Sequence, residues 1–164
     1  MKRRNGCAAL PPLLLLLLLL LALLLALCGC SGSRADYVGR QVGLDLPRTE
    51  SVTYQDSHGG FHGDGLLLVE LAFAPEDAPS VEDGILRRGD LWNEGPFDDY
   101  LGGILYEGGP AGEGGWPRGN DDCYWYFRDR QQDERPLNRR GSWNYTAALY
   151  DAQSGTLYYL EFDT

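Results

Sequence analysis

Trp143-Asn-Tyr-Thr-Ala-Ala-Leu-Tyr150, Asp151-Ala-Gln-Ser-Gly155 and Thr156-Leu-Tyr-Tyr-Leu-Glu-Phe162 read together as two strands and the turn that joins them. Side chains alternate between the two faces of a strand. Trp143, Tyr145, Ala147 and Leu149 therefore share one face, and Tyr158, Leu160 and Phe162 share one face of the partner strand. The residues between are turn formers, and Gly155 can supply the positive φ that a hairpin loop of this length often needs.

Working outward, Leu66 to Ala74 is the clearest single strand. Leu67, Val69, Leu71 and Phe73 line one face, while Leu66 and Leu68 partly cover the other, as in a central strand with a layer against it. Glu50 to Asp56 alternates Val52 and Tyr54 with polar neighbours. Cys123-Tyr-Trp-Tyr-Phe127 is an aromatic strand that puts Cys123 on one face with Trp125 and Phe127, where a buried small side chain is expected. Three helical pieces are expected, one before the first strand and two after the Leu66 to Ala74 strand. Tyr37 to Val42 is a short turn of helix ended by Gly43. Ser80-Val-Glu-Asp83 resembles a capping box that opens a helix holding Val81, Ile85 and Leu86. Pro96 starts another, with Phe97, Leu101 and Leu105 at four-residue spacing. Residues 102–119 hold eight glycines and two prolines and read as a long surface loop. The expectation is an α+β fold: a mostly antiparallel sheet of about five strands with one or two short helices on one face. A small all-β barrel is the alternative.

The N-terminus has a different character. Lys2, Arg3 and Arg4 precede Leu13 to Leu27, which is all leucine and alanine. Fifteen such residues make about 22 Å of helix at ~1.5 Å per residue, short of a comfortable span and typical of an export signal. Leu27-Cys28-Gly29-Cys30 resembles a lipobox, with a small residue before the modified cysteine. Cys30 is then the lipidation site. Reading Cys28 in that role would put Leu27 where a small residue is needed. Secretion with cleavage near Gly29 or Ser31 and no lipid is the competing reading. The expected organisation is residues 1–29 as signal peptide, 30–36 as tether and 37–164 as a single globular domain, on the outer face of the cell membrane.

From Cys30 onward the chain keeps eleven arginines, no lysine and all 24 acidic residues, a formal charge of −13. So acidic a chain argues against nucleic acid as a partner, and against charge alone holding it to an anionic bilayer. Lipid is then the route to the membrane, since each buried CH₂ of an acyl chain contributes about 0.8 kcal/mol. Once Cys30 carries lipid, only Cys123 is left, and the domain has no internal disulfide.

Two sets of residues are candidates for a site. Asp56-Ser-His58-Gly-Gly-Phe-His62-Gly-Asp64-Gly65 contains the chain's only two histidines. His58, His62 and Asp64 could hold a divalent transition metal, as two imidazoles and a carboxylate do in a facial triad. The same glycines, and Asp64-Gly65 in particular, equally suit a tight turn. An EF-hand is excluded: with Gly65 as the turn glycine, ligand positions fall on Gly60 and Leu71. The second set is Trp92, Tyr106 and Trp116, aromatics in or near loops that suit a peptide or glycan, although aromatics also fill the core of a small sheet. No catalytic residues are assigned.

The stretches His58 to Gly65, Trp143 to Asp151 and Thr156 to Thr164 resemble a loose group of uncharacterised small lipoproteins of Gram-positive bacteria. The resemblance implies the lipoprotein class and a terminal hairpin; it implies no activity and gives the site residues no role. The reading that follows is a non-enzymatic, membrane-anchored binding or accessory module, with a small metal-dependent enzyme on the His58, His62 and Asp64 loop as the alternative.

Overall fold

β5 (Asn144–Asp151) and β6 (Thr156–Asp163) pair antiparallel from Asn144 opposite Asp163 to Asp151 opposite Thr156. Gly155 between them has φ of 64°. In the computed structural model, which describes residues 33–59, 63–107 and 109–164, this hairpin is the middle of a six-stranded sheet. The order is β1-β2-β6-β5-β4-β3, with β1 at Thr49–Asp56, β2 at Gly65–Phe73, β3 at Trp92–Glu94 and β4 at Cys123–Asp129. Every neighbouring pair is antiparallel. The sheet is open, with β1 and β3 at its edges, so the barrel alternative does not hold. The sixth strand, β3, is three residues long, too short to show alternation, and was not expected.

The sheet separates two apolar layers. Leu67, Val69, Leu71 and Phe73 of β2 pack with Tyr150, Leu157 and Tyr159 beneath α1 (Arg34–Val42) and α2 (Ala78–Arg87). Tyr145, Ala147, Leu149 and Leu160 pack on the opposite face beneath α3 (Asp99–Tyr106) and α4 (Pro110–Glu113). The α+β class and the face assignments of β2, β4, β5 and β6 follow the period-two pattern. The helices, expected on one face, cover both. The reason is visible in β5, where six consecutive residues from Tyr145 to Tyr150 are buried, so each face needs a cover.

Several boundaries move. α1 begins at Arg34, three residues before the expected start at 37; residues 30–32 of the expected tether lie outside the described residues. Asp77 stands at the N-cap position of α2 without a side-chain capping hydrogen bond, and Pro79 lies in the first turn. Ser80 is already helical there, and its hydroxyl donates to the Asp77 carbonyl instead of closing a capping box. α3 begins not at Pro96 but at Asp98, whose carboxylate accepts from the Leu101 amide at 2.8 Å.

Residues 102–119 are not one surface loop. α3 runs to Tyr106, and α4 folds back on its last turn. A Cβ at Gly109 would come within 2.0 Å of the Ile104 carbonyl oxygen, and one at Gly112 within 2.4 Å of that of Tyr106. These glycines allow close backbone packing, a role that composition cannot distinguish from flexibility. Among the described residues no helix is long and apolar enough to cross a membrane.

Candidate functional site

The β1–β2 turn presents His58 between two carboxylates. Its Nδ1 lies 2.9 Å from Asp56 Oδ1 and its Nε2 lies 3.2 Å from Asp163 Oδ2. Asp163 in turn accepts from Arg130 at 2.9 Å, and Arg34 stands 3.8 Å from Asp56. The His58 ring and backbone N–H hold the Asp56 carboxyl below its ordinary range. The turn is closed by the Ser57 amide donating to Leu66 O and the Leu66 amide donating to Ser57 Oγ, both at 2.9 Å. Gly63 carries a φ of 75°. A Cβ on Gly65 would come within 2.7 Å of the His58 backbone, so the two ends of the turn touch.

His58 thus has both ring nitrogens engaged with carboxylates. Asp64 is exposed. His62 lies outside the described residues, as does Cys30. Among the described residues no three His, Cys, Asp or Glu side chains are grouped to hold a metal ion.

The three aromatic candidates are divided between the faces. Trp92 belongs to the α1 side, 4% exposed, with its Nε1 donating to Val42 O. Tyr106 and Trp116 lie together on the other side and line one groove of about 430 Å³ with Glu113 and Arg118. A second groove of about 440 Å³ runs along α3 from Phe97 past Asp99 and Glu107 and shares Tyr106 and Arg118 with the first. The Tyr106 hydroxyl donates to Pro117 O at 2.6 Å, which fixes the ring, and the Arg118 guanidinium sits 5.2 Å from its centroid. Burial pushes the Tyr106 hydroxyl well above its ordinary range. Neither aromatic is an open stacking platform, since Tyr106 is 9% and Trp116 is 8% exposed. What the grooves present is a cation over a ring face, with carboxylates around it.

Arg118, Glu107 and Glu113 were not singled out from sequence. Nothing in their spacing marks them; they meet because α4 doubles back on α3. A second cluster lies on the opposite face of the sheet. Glu161, 9% exposed on the α1 face, accepts from the hydroxyls of Tyr37, at 2.6 Å, and of Tyr159. A carboxylate in phase with Leu157 and Tyr159 was the available signal. Cys123 is buried as expected, its thiol donating to Asn120 O at 2.8 Å and Gly95 O at 3.1 Å, and burial raises its pKa.

Comparison with protein-family models, with curated proteins and with solved structures finds no match to this chain.

Proposed function

We propose that the chain is exported, acylated on Cys30 and held at the outer face of the cell membrane, where its folded domain acts as a non-enzymatic binding module. Export and anchoring are supported by the basic start, the leucine core and Leu27-Cys28-Gly29-Cys30, together with the resemblance to small lipoproteins. The binding role rests on one observation: the paired grooves around Tyr106 and Arg118, with donors on the guanidinium and acceptors on Asp99, Glu107 and Glu113. A cleft with a few convergent polar groups beside an aromatic ring suits a peptide or a glycan. The metal-enzyme reading has less support, because His58 already has a carboxylate at each ring nitrogen.

The test is a screen of glycan and peptide arrays with purified protein, repeated with Arg118→Ala and Glu107→Gln. The reading expects a ligand whose affinity falls at least about tenfold in either variant, roughly the loss of one charge-assisted hydrogen bond. Absence of any binder, or a binder indifferent to both substitutions, sinks this site and moves the domain toward a structural role in the envelope. In parallel, Cys30→Ser is expected to abolish partitioning into detergent.

A further inference from the structure

We infer that the domain is held in a fixed sense at the membrane, with the β1–β2 turn and the β4–β5 connection facing an anionic lipid surface and the β5–β6 turn pointing away. The inference rests on the lipid anchor at Cys30 proposed above.

Its first support is reach. Only residues 31–33 separate Cys30 from the start of α1 at Arg34. Four Cα–Cα steps span at most about 14 Å at ~3.6 Å each. The domain cannot stand off and tumble freely; the side nearest Arg34 is held at the headgroups.

Its second support is where Arg34 sits in the fold. One row of the sheet runs Asp56–Leu67–Glu161–Thr146–Arg128 across β1, β2, β6, β5 and β4. α1 lies across the sheet near this row. Arg34 meets Asp56 and the Tyr54 ring, Tyr37 meets Glu161, and the side chain of Gln41 accepts from Arg128. The row stands next to the strand ends at Gly65, Asn144 and Asp163. The anchored end of α1 is therefore at that end of the sheet. The β5–β6 turn at Asp151–Gly155 is at the other, about 20–25 Å away at ~3.3 Å per strand residue.

Its third support is charge. α1, residues 56–59, 63–65, 128–144 and 161–163 make up the anchored end. They carry seven arginines against eight acidic residues; the rest of the chain from Cys30 onward carries four against sixteen. The arginines here neutralise carboxylates in place: Arg130 with Asp163, Arg140 with Asp129 at 2.6 Å, and Arg135 with Asp133 at 2.7 Å. Arg139 is exposed beside them. With a Debye length of about 8 Å at physiological salt, an acidic surface within a 14 Å tether is repelled by anionic lipid. The near-neutral, arginine-bearing end is not. Tether and field select the same orientation.

The test uses the acylated mature protein purified from membranes. It is reconstituted in vesicles of phosphatidylcholine with one-quarter phosphatidylglycerol that carry a headgroup quencher. A fluorophore is placed on Gly141→Cys, an exposed position where a Cβ meets nothing, or on the exposed Gln153→Cys in the β5–β6 turn. Quenching at 141 is expected to exceed that at 153 at least about threefold, and Arg139→Glu is expected to narrow the ratio. Equal or reversed quenching on protein whose mass shows acyl chains at Cys30 overturns the orientation alone. Absence of acyl mass on Cys30 overturns the anchor and the orientation with it.

Discussion

Replacing Glu161 with Leu should destabilise the domain by about 2–4 kcal/mol in urea unfolding followed by circular dichroism. The carboxylate is the acceptor for both the Tyr37 and Tyr159 hydroxyls. Tyr159 is fully buried, so its hydroxyl cannot turn to water once the acceptor is gone. A buried donor left without a partner costs about 1–3 kcal/mol. Tyr37 is only partly buried and recovers some hydration, which keeps the sum below twice that figure.

The informative companion is the triple variant Tyr37→Phe, Tyr159→Phe, Glu161→Leu, which removes every polar member together. A carboxylate held in a sheet face pays heavily in lost hydration, and an apolar set of similar volume is often as stable. The triple variant is expected to recover most of the loss. If Glu161→Leu alone lies within about 0.5 kcal/mol of wild type, the cluster is not part of what holds α1 on the sheet.

What could be read in advance divides along physical lines. Strand faces were legible because a half-buried strand writes its burial into every second residue; Leu67, Val69, Leu71 and Phe73 fall on one side without exception. β3 was not, since a three-residue edge strand has no period. It forms because Trp92, Asn93 and Glu94 meet Tyr126, Trp125 and Tyr124 of β4. β1 was read as a strand from Val52 and Tyr54. Both side chains are substantially exposed, at 42% and 55%, so its alternation marked an edge rather than a buried face. Glycine was the main source of error. The same residue type makes the turn at Gly155, through a positive φ, and the helix-to-helix contact at Gly109, through absence of a Cβ. Composition signals only the first, so the segment that builds the Tyr106–Arg118 grooves reads as a loop. Trp92, Tyr106 and Trp116 were chosen for proximity to loops, and Trp92 lies on the opposite face because β3 and α3 lead to different sides of the sheet.

Raising the pH should unfold the domain cooperatively, with stability intact up to about pH 10 and lost between about 10 and 12. Seven of the ten tyrosines have raised pKa values. Tyr37 is pushed up to about 12 by burial and by its bond to Glu161. Tyr150 reaches about 12 by burial near Glu82 and Asp151. Tyr124 reaches about 12 chiefly through its hydrogen bond to Glu82. Tyr106, Tyr145 and Tyr159 are driven higher still, in each case first by burial.

The sign follows from linkage. A tyrosine whose folded pKa lies above its unfolded value keeps its proton in the fold after the unfolded chain has released it. The folded state then binds more protons, and stability falls as pH rises. The contribution is complete below the unfolded value near 10 and disappears as pH passes through the folded values. At about 1.4 kcal/mol for each tenfold difference in proton affinity, discounted for the part-exposed Tyr37 and Tyr124, the set amounts to on the order of 5 kcal/mol. That is comparable with the whole stability of a domain this size.

Tyrosinate absorbance and circular dichroism should therefore change together in one alkaline step. Tyr145→Phe separates this account from ordinary base denaturation. The Tyr145 hydroxyl is buried and has no hydrogen-bond partner among the described residues. Its removal should leave stability at pH 7 unchanged or slightly higher and move the alkaline midpoint upward. Tyrosinate appearing well before the loss of circular dichroism, or a midpoint that Tyr145→Phe leaves in place, would show that the buried hydroxyls do not govern the transition.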